Sequence, residues 1–231
     1  MNNFKNIYIG AMSGTSHDAV DVSILKIEKD ITLNFFYSKP IPNSLRTRIK
    51  KIIEADSVTL EELGQLNKKI GYLFAAAINE SIEKAKLKKN KVKCVAISGQ
   101  TIRHDVVSAN PFSMQIGDPN VVSNETGLTT ISDFRNMHIS LGGEGAPLVP
   151  EFHNELFHSS RKSKIILNIG GIANYSYIKN KNYFWGSDVG PGNALMDSYC
   201  QKYLNKPFDK DGKIASKGKV NVRELKRLIS H

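Results

Sequence analysis

The chain has 231 residues, 32 of them Lys or Arg and 22 Asp or Glu, so its formal net charge is +10; 40% of its residues are apolar. This composition predicts a globular protein with a sizeable core and excludes a disordered or low-complexity chain. Two cysteines, Cys94 and Cys200, exclude a disulfide-stapled scaffold. No apolar run approaches the roughly 20 residues that a membrane span needs. The N-terminus lacks the apolar stretch of a signal peptide, so we expect a cytoplasmic protein without membrane partners.

Elements in chain order begin with three short strands, over Ile7–Met12, Val20–Ile27 and Ile31–Tyr37, which short turns join into an antiparallel meander. A capping box at Thr59 then starts a helix with apolar residues at helical spacing. Val92–Ser98 follows as a buried strand, and the strand–helix–strand order predicts a parallel strand pair.

The lysines are densest between Lys84 and Lys93, where that helix ends. Nucleic-acid binding is one interpretation of the cluster. However, no aromatic side chains alternate with these lysines to stack on bases, and cations suit the C-terminal end of a helix. We therefore favour a solvated helix end and expect no nucleic-acid partner.

The second half of the chain is divided by glycines. Asp118 and Pro119 predict the start of a helix. Lys164–Ile169 and Ile172–Ile178 predict a hairpin around Gly170 and Gly171. Residues 185–193 are glycine-rich and are predicted to form a loop that leads into a helix over 191–204. A last helix is expected over 222–229.

Two glycine turns between strands could bind an anion, because such turns expose successive backbone N–H groups. These turns are at 14–16 and at 170–171, one near the start of each half, and Ser13, Thr15 and Ser16 add hydroxyl groups. Asp18 and Asp21 could hold a magnesium ion. The alternative is that each turn is a tight hairpin that needs glycine for a positive φ, and this alternative is favoured for either turn alone.

Asp188 is the best candidate for a catalytic base, because a carboxylate before a helix N-terminus could take a proton from an attacking water or hydroxyl. The alternative is a helix N-cap, for which Asp is also favoured. His153, Glu155 and His158 could bind a metal ion, but surface polar residues on a helix are the favoured interpretation.

Several segments resemble the anhydro-N-acetylmuramic acid kinase family, in order along nearly the whole chain. The matching segments are residues 10–21, 99–104, 114–118, 133–135, 142–150, 167–174, 188–197 and 208–218. The resemblance implies an α/β protein with the two-domain actin-like ATPase fold, related to ribonuclease H, with residues 1–132 in the first domain and 133–231 in an incomplete second domain.

The resemblance also implies ATP-dependent phosphorylation of 1,6-anhydro-N-acetylmuramic acid, with opening of its ring by water, in the recycling of cell-wall fragments. The implied ligands are ATP, Mg²⁺ and the amino sugar. Asp188 matches the catalytic base. The implied nucleotide-binding residues are Gly14, Thr15, Ser16, His17, Asp18, Ala19, Val20, Asp21, Asn168, Gly170, Gly171 and Asn174, with Asp18 and Asp21 at the metal. The implied sugar-binding residues are Gln100, Thr101, His104, Arg135 and Glu144.

The chain departs from the family pattern at five positions near these sites: His17, Ala19, Ser98, His138 and Glu144 stand where the family usually has Leu, Gly, His, Asp and Gln. Ala19 requires a negative φ. Family members are also about one and a half times as long, and their glycine-rich adenosine motif has no counterpart here. The alternative to an active kinase is therefore an inactive remnant, or half of a split kinase, that binds nucleotide or sugar weakly. A homodimer and a complementing C-terminal chain are both open as partners.

Overall fold

Three consecutive strands begin the fold in a computed structural model that describes residues 6–230. They are β1 (Ile7–Ser13), β2 (Ala19–Ile27) and β3 (Ile31–Pro40). β1 pairs antiparallel with β2, and β2 pairs antiparallel with β3, so the predicted meander is confirmed.

Two helices follow the meander, α1 (Asn43–Glu54) and α2 (Leu60–Lys84). α2 begins where the capping box predicts, since the Thr59 side chain accepts a hydrogen bond from the Glu62 backbone N–H. It ends at the first lysine of the cluster, and a short 3₁₀ helix (Lys89–Lys91) leads into the next strand. The lysine-rich segment therefore begins at the end of a helix, as expected, and its other lysines lie in the turn, the 3₁₀ helix and the start of the strand that follow.

The crossover strand β4 (Val92–Asp105) returns to lie parallel with β1. It extends beyond the predicted end at Ser98, because its second half pairs with β5 (Phe112–Ile116). The short β6 (Thr130–Ile131) pairs with β4 as well, and the sheet has the order β3-β2-β1-β4-β5. The parallel strand pair is confirmed, and it places the end of β1 beside Gln100 of β4.

The core of this unit forms between the sheet and α2. Every second residue of β1 and of the first part of β2, up to Ile24, is buried, and α2 buries the apolar face that its helical spacing predicts. The largest fully buried side chains of the unit are Ile9, Ile24, Ile49, Leu66, Ile70, Phe74, Ile78 and Ile97. The alternation fixes which side chains of β2 face away from the core, Asp21 among them.

Two helices complete the first unit, α3 (Pro119–Thr126) and α4 (Phe134–Ser140). Asp118 caps α3, as predicted, by accepting from the Asn120 N–H at 2.8 Å. α4 is tied to β5, since the Asn136 side chain accepts from the Ser113 N–H at 2.9 Å. The chain divides into two compact units after Leu148, and residues 133–148 belong to the first of them. The division into two domains after residue 132 stays a prediction.

The second unit is a three-stranded antiparallel sheet with helices before and after it. Its elements are α5 (Val149–Phe157), β7 (Lys164–Ile169), β8 (Ile172–Asn180), β9 (Tyr183–Pro191), α6 (Ala194–Leu204), 3₁₀ helices over Lys210–Gly212 and Ala215–Lys217, and α7 (Val222–Ile229). The β7–β8 hairpin and α7 are confirmed. The presence of α/β structure in both units confirms the α/β fold class.

The loop predicted over residues 185–193 is wrong, because most of this segment is strand β9. Gly186, Gly190 and Pro191 are typical of turns, but pairing with β8 supplies the hydrogen bonds that hold the segment extended. Gly190 has a φ of 149°, beside a break in the register of β9. The helix that follows begins at Ala194 rather than at Pro191.

One face of the second sheet packs against α5, where the His153 ring is 2.8 Å from the Ser176 hydroxyl. The opposite face carries exposed apolar side chains, including Ile165, Leu167 and Trp185. Within residues 6–230, the helices are all too short or too polar to cross a membrane.

Candidate functional site

The first predicted phosphate loop, Gly14–Asp21, connects β1 to β2 and includes the start of β2. It is closed by a hydrogen bond from the His17 N–H to the Gly14 carbonyl at 3.2 Å. His17 adopts a φ of 54°, a left-handed conformation that is unusual for a residue with a side chain. The φ of Ala19 is not positive, so the unfavourable left-handed conformation of this loop occurs at His17 and not at Ala19.

The loop is tied to β4 through Gln100, one of the predicted sugar-binding residues. The Gln100 side chain is only 1% exposed. Its carbonyl accepts from the Ser13 hydroxyl at 2.7 Å, and its amide donates to the Thr101 carbonyl at 3.1 Å. The parallel register of β1 and β4 places Ser13 beside Gln100. Gln100 therefore braces the end of β1, where the loop begins.

The His17 ring lies half-buried beside this brace, and burial lowers the pKa of His17. A hydrogen bond with Gln100 opposes that shift, whereas the nearby cations Lys50 and Arg46 reinforce it. Nδ1 of the ring is buried and lacks a hydrogen-bond partner within the described residues. The ring is therefore neutral near pH 7, and the loop has cationic residues from α1 close to it.

The two carboxylates predicted at the metal lie at the end of the loop. The Asp18 carboxylate is exposed and accepts from the Ser16 hydroxyl, whereas Asp21 lies on β2 in register with Met12. Across residues 6–230, the His, Cys, Asp and Glu side chains form no group of three that could hold a metal ion. One or two carboxylates fit Mg²⁺, which usually keeps waters and substrate phosphates as its other ligands. The Val20 side chain is fully buried in the core, so this residue can contribute only its backbone.

A polar network joins two predicted sugar-binding residues across β4 and β5. The Gln115 amide donates to Ser113 Oγ at 2.6 Å and to Thr101 Oγ1 at 3.4 Å. His104 Nδ1 lies 3.0 Å from the same Ser113 hydroxyl. Thr101 and His104 therefore share polar partners on β5, Ser113 and Gln115, which are not among the site residues predicted from the sequence.

Ser113 and Gln115 also line a cavity of about 410 Å³ in the first unit. Its other walls come from the middle of β4, α2 and the start of α4, including Ser98, Asn67 and Asp133. The five predicted sugar-binding residues are not part of this lining. The network between Gln115 and Thr101 connects the cavity to the predicted residues, and the motif at 114–118 is the sequence signal that marks it.

The remaining predicted sugar-binding residues belong to α4 and the loop that follows it. Arg135 is on α4, and Glu144 is exposed in the loop. The Gly145 N–H donates to Nδ1 of His138 at 2.9 Å. A side chain on Gly143 would overlap the His138 ring, since its Cβ would lie 2.3 Å from two ring atoms. The loop therefore lies directly against His138.

The second predicted phosphate turn, Gly170–Gly171, is held by backbone groups that precede α6. The Gly170 carbonyl accepts from the Asn193 N–H at 2.7 Å, and the Gly171 carbonyl accepts from the Gly192 N–H at 2.9 Å. A Cβ on Gly192 would lie 2.3 Å from the Gly170 oxygen, so only glycine allows this approach. This role of Gly192 and Asn193 is not predicted from the sequence, although both residues belong to the matching segment 188–197.

Three predicted residues form a row across the second sheet, directly beside this turn. Asn168 on β7 pairs with Asn174 on β8, and Asn174 pairs with Asp188 on β9. Direct partners in an antiparallel sheet share a face, so the Asn174 side chain lies next to that of Asp188, and Asn168 lies on the far side of Asn174. A register break in β9 leaves Val189 without a partner and matches Asp188 to Asn174.

The N-cap alternative for Asp188 is wrong, because Asp188 lies within β9 and Asn193 is the N-cap of α6. Asp188 is exposed, so its carboxylate is open to a reactant. His153 and His158 both lie at α5, where His158 Nδ1 is 2.9 Å from the Asn154 carbonyl. Their contacts support the surface-helix interpretation rather than a metal site.

A family model for anhydro-N-acetylmuramic acid kinase matches residues 6–231. The chain belongs to this family. Its sequence is 61% identical over 227 residues to the anhydro-N-acetylmuramic acid kinase of Gamma-proteobacterium EBAC31A08, a match that covers 98% of this chain and 62% of that relative. It is 41% identical over 225 residues to the enzyme of the same name from Vibrio cholerae, covering 97% of this chain and 61% of the relative. The chain thus spans about three fifths of the length of these curated relatives.

Two solved structures cover most of the chain at low identity. Component A of (R)-2-hydroxyglutaryl-CoA dehydratase from Acidaminococcus fermentans is 12% identical with a TM-score of 0.45, covering 94% of this chain and 61% of that one. The ROK hexokinase from Thermus thermophilus is 10% identical with a TM-score of 0.37, covering 97% and 69%. Membership in the anhydro-N-acetylmuramic acid kinase family rests on the sequence match, which confirms the resemblance seen in the motifs.

Proposed function

We propose that this chain carries the phosphate-binding and catalytic-base residues of an ATP-dependent kinase for 1,6-anhydro-N-acetylmuramic acid. The product is N-acetylmuramic acid 6-phosphate, formed in the recycling of cell-wall fragments. Family membership supports the reaction class. The row of Asn168, Asn174 and Asp188 beside the Gly170–Gly171 turn carries the proposal, because it joins a carboxylate to a turn suited to phosphate.

Asp188 would take a proton from the water that attacks the anomeric carbon of the sugar. The bond from that carbon to the bridging 6-oxygen breaks, and the 6-oxygen takes the γ-phosphoryl group as ADP leaves. The amide of Asn174, beside Asp188, offers a donor that can hold the carboxylate in place, and the amide of Asn168 offers one for a phosphate oxygen. Phosphoryl transfer needs mainly such positioning and charge neutralisation, rather than covalent chemistry by the protein.

Each unit would contribute its own backbone segment for nucleotide phosphates, Gly14–Asp21 in the first unit and Gly170–Gly171 in the second. Hydroxyl groups of Thr15 and Ser16 add donors in the first loop. Asp18 and Asp21 would hold Mg²⁺, which neutralises phosphate charge when it is bound. Gln100 would act indirectly, since its buried side chain braces β1 at the start of the first loop. The rigid brace supports a loop conformation that is set before the nucleotide binds.

The sugar would be recognised by the polar side chains on β4 and on the loop after α4. Thr101 and His104 are already ordered by Gln115 and Ser113. Glu144 and Arg135 add opposite charges, which suit the carboxylate, hydroxyl and amide groups of a muramic acid derivative. Together these residues would orient the sugar, while Asp188 acts on the water.

The test is ADP release by the purified 231-residue chain with Mg²⁺–ATP and 1,6-anhydro-N-acetylmuramic acid. We expect sugar-dependent ADP formation and expect Asp188→Asn to lower kcat by at least about 100-fold with little change in ATP affinity. Asp211→Asn is the matched control, because Asp211 is an exposed carboxylate of the same unit outside the site.

Calorimetric titrations with ATP and with the sugar, run beside the activity assay, distinguish an active kinase from an inactive chain that only binds these ligands. Weak binding of nucleotide or sugar without turnover would favour the binding-only alternative. A near-normal rate for Asp188→Asn would remove Asp188 from its role. Absence of both turnover and binding would refute the proposed function.

A further inference from the structure

The loop after α4 is held in two different ways. Its first residues continue the helix end through the backbone, since the Gly142 N–H donates to the Ile139 carbonyl and the Gly143 N–H donates to the His138 carbonyl, both at 2.9 Å. Two residues further on, the Gly145 N–H donates instead to a side chain, Nδ1 of His138, at 2.9 Å. Glu144 lies between Gly143, which is bonded to the His138 backbone, and Gly145, which is bonded to the His138 side chain.

The loop backbone is packed closely against the helix at this point. A Cβ on Gly143 would lie 2.3 Å from the His138 ring, and a Cβ on Gly145 would lie 3.0 Å from Ile139 and 3.1 Å from the Arg135 carbonyl. Gly145 is buried and has a φ of 72°, a conformation that favours glycine. The loop therefore packs directly against α4, where the His138 ring fills the space beside Gly143 and accepts the hydrogen bond from the Gly145 N–H.

An imidazole nitrogen accepts a hydrogen bond only while it carries no proton. Nδ1 of His138 is thus unprotonated in this arrangement, with the ring proton on Nε2. Protonation would replace the acceptor with a donor that faces the Gly145 N–H. The residue is exposed, so protons from solvent reach it. The contact at Gly143 uses a backbone carbonyl and does not depend on the protonation of the ring.

We propose that His138 is a positioning residue, whose neutral ring fixes Gly145 and thereby holds Glu144 in place for the sugar. Protonation of the ring breaks the hydrogen bond from Gly145 and releases Glu144. The part that concerns the sugar rests on the proposed function of Glu144. The charged residues of this segment are Asp133, Arg135 and Glu144. The carboxylate of Asp133 is bound to the Asn136 amide at 2.7 Å. Asp at position 138, usual in the family, is also an acceptor but does not lose that capacity near neutral pH.

The first test follows backbone amides by nuclear magnetic resonance in the ¹⁵N-labelled chain, over the range in which histidines titrate. We expect the Gly145 amide to shift with the same midpoint as the His138 ring, measured on the same sample, while the Gly143 amide moves far less. His138→Asn places an amide oxygen at the position of Nδ1, so it should keep the Gly145 hydrogen bond and abolish the titration. His138→Ala should lose the bond at every pH.

His158→Asn is the matched control, because His158 is a histidine of the second unit whose Nδ1 also contacts a backbone group. It should leave the Gly145 titration unchanged. A Gly145 amide that does not follow the His138 ring in the wild type would overturn the proposal. A titration that persists in His138→Asn would overturn it as well.

The second test is calorimetric binding of 1,6-anhydro-N-acetylmuramic acid above and below the ring midpoint. We expect affinity to fall about fivefold on protonation in the wild type, the effect of one lost hydrogen bond, and to stay constant in His138→Asn. Binding that does not change with pH would overturn the proposal and leave the proposed function standing. No binding at any pH, with the Gly145 titration intact, would refute the proposed function and with it the role of Glu144.

Discussion

Replacing Gly192 with Ala tests how tightly the Gly170–Gly171 turn, the second predicted phosphate turn, is built. The new Cβ would lie 2.3 Å from the Gly170 oxygen and 3.3 Å from the Ala173 nitrogen. Both neighbours are backbone atoms of the β7–β8 turn, so neither can move aside by a side-chain rotation. The turn itself must therefore shift, or the segment before α6 must move away from it.

The size of the effect follows from these distances. A separation of 3.0 Å, the lower limit of real Cβ contacts, requires a shift of about 0.7 Å. The Gly170 oxygen also accepts from the Asn193 N–H at 2.7 Å, and the same shift would lengthen that bond to about 3.4 Å, outside the normal range. Overpacking costs about 1–3 kcal/mol and a weakened hydrogen bond costs about 1 kcal/mol, so we expect a loss of about 2–4 kcal/mol.

Urea unfolding followed by tryptophan fluorescence measures this loss of unfolding free energy in the second unit. The chain has one tryptophan, and Trp185 lies on β9 of the second unit. With a typical slope for a small unit, the midpoint should fall by about 1–2 M. Gly64→Ala is the matched control, because a Cβ there meets no atom within 4 Å and alanine favours the interior of α2. A Gly192→Ala midpoint within about 0.2 M of the wild type would refute the steric argument.

Two further predictions concern the first unit. Ser13→Ala removes the hydroxyl that donates to the buried Gln100 carbonyl, so we expect a loss of about 1–3 kcal/mol in urea unfolding followed by circular dichroism, whereas Ser44→Ala at an exposed position should lose nothing. The Lys68 ammonium, 2.6 Å from Asp118, holds the pKa of that carboxyl below its usual value. Because the folded state then binds fewer protons than the unfolded state, this contribution is present above about pH 4 and is lost as pH falls through the folded pKa. Asp118→Asn keeps the N-cap and should reduce the acid sensitivity of the urea midpoint between pH 3 and pH 6; unchanged acid sensitivity would contradict this role.

Local patterns in the sequence were sufficient where neighbouring residues decide the structure. The capping box at Thr59, the Asp118–Pro119 helix start and the hairpin around Gly170–Gly171 each depend on interactions within a few residues. The loop predicted over 185–193 is wrong for the opposite reason. Its glycines and proline are typical of turns, but hydrogen bonds from β8, which are distant interactions, hold it as a strand.

The sequence by itself determined the family and the α/β class, and it predicts which residues would carry the chemistry, because motifs and periodicity are properties of adjacent residues. Only the tertiary structure decided how these residues meet. The parallel register of β1 and β4 buries Gln100 against Ser13, and a one-residue register break in β9 places Asp188 beside Asn174. Strand register is a relation between distant segments, and a shift of one residue turns every side chain to the other face of the sheet.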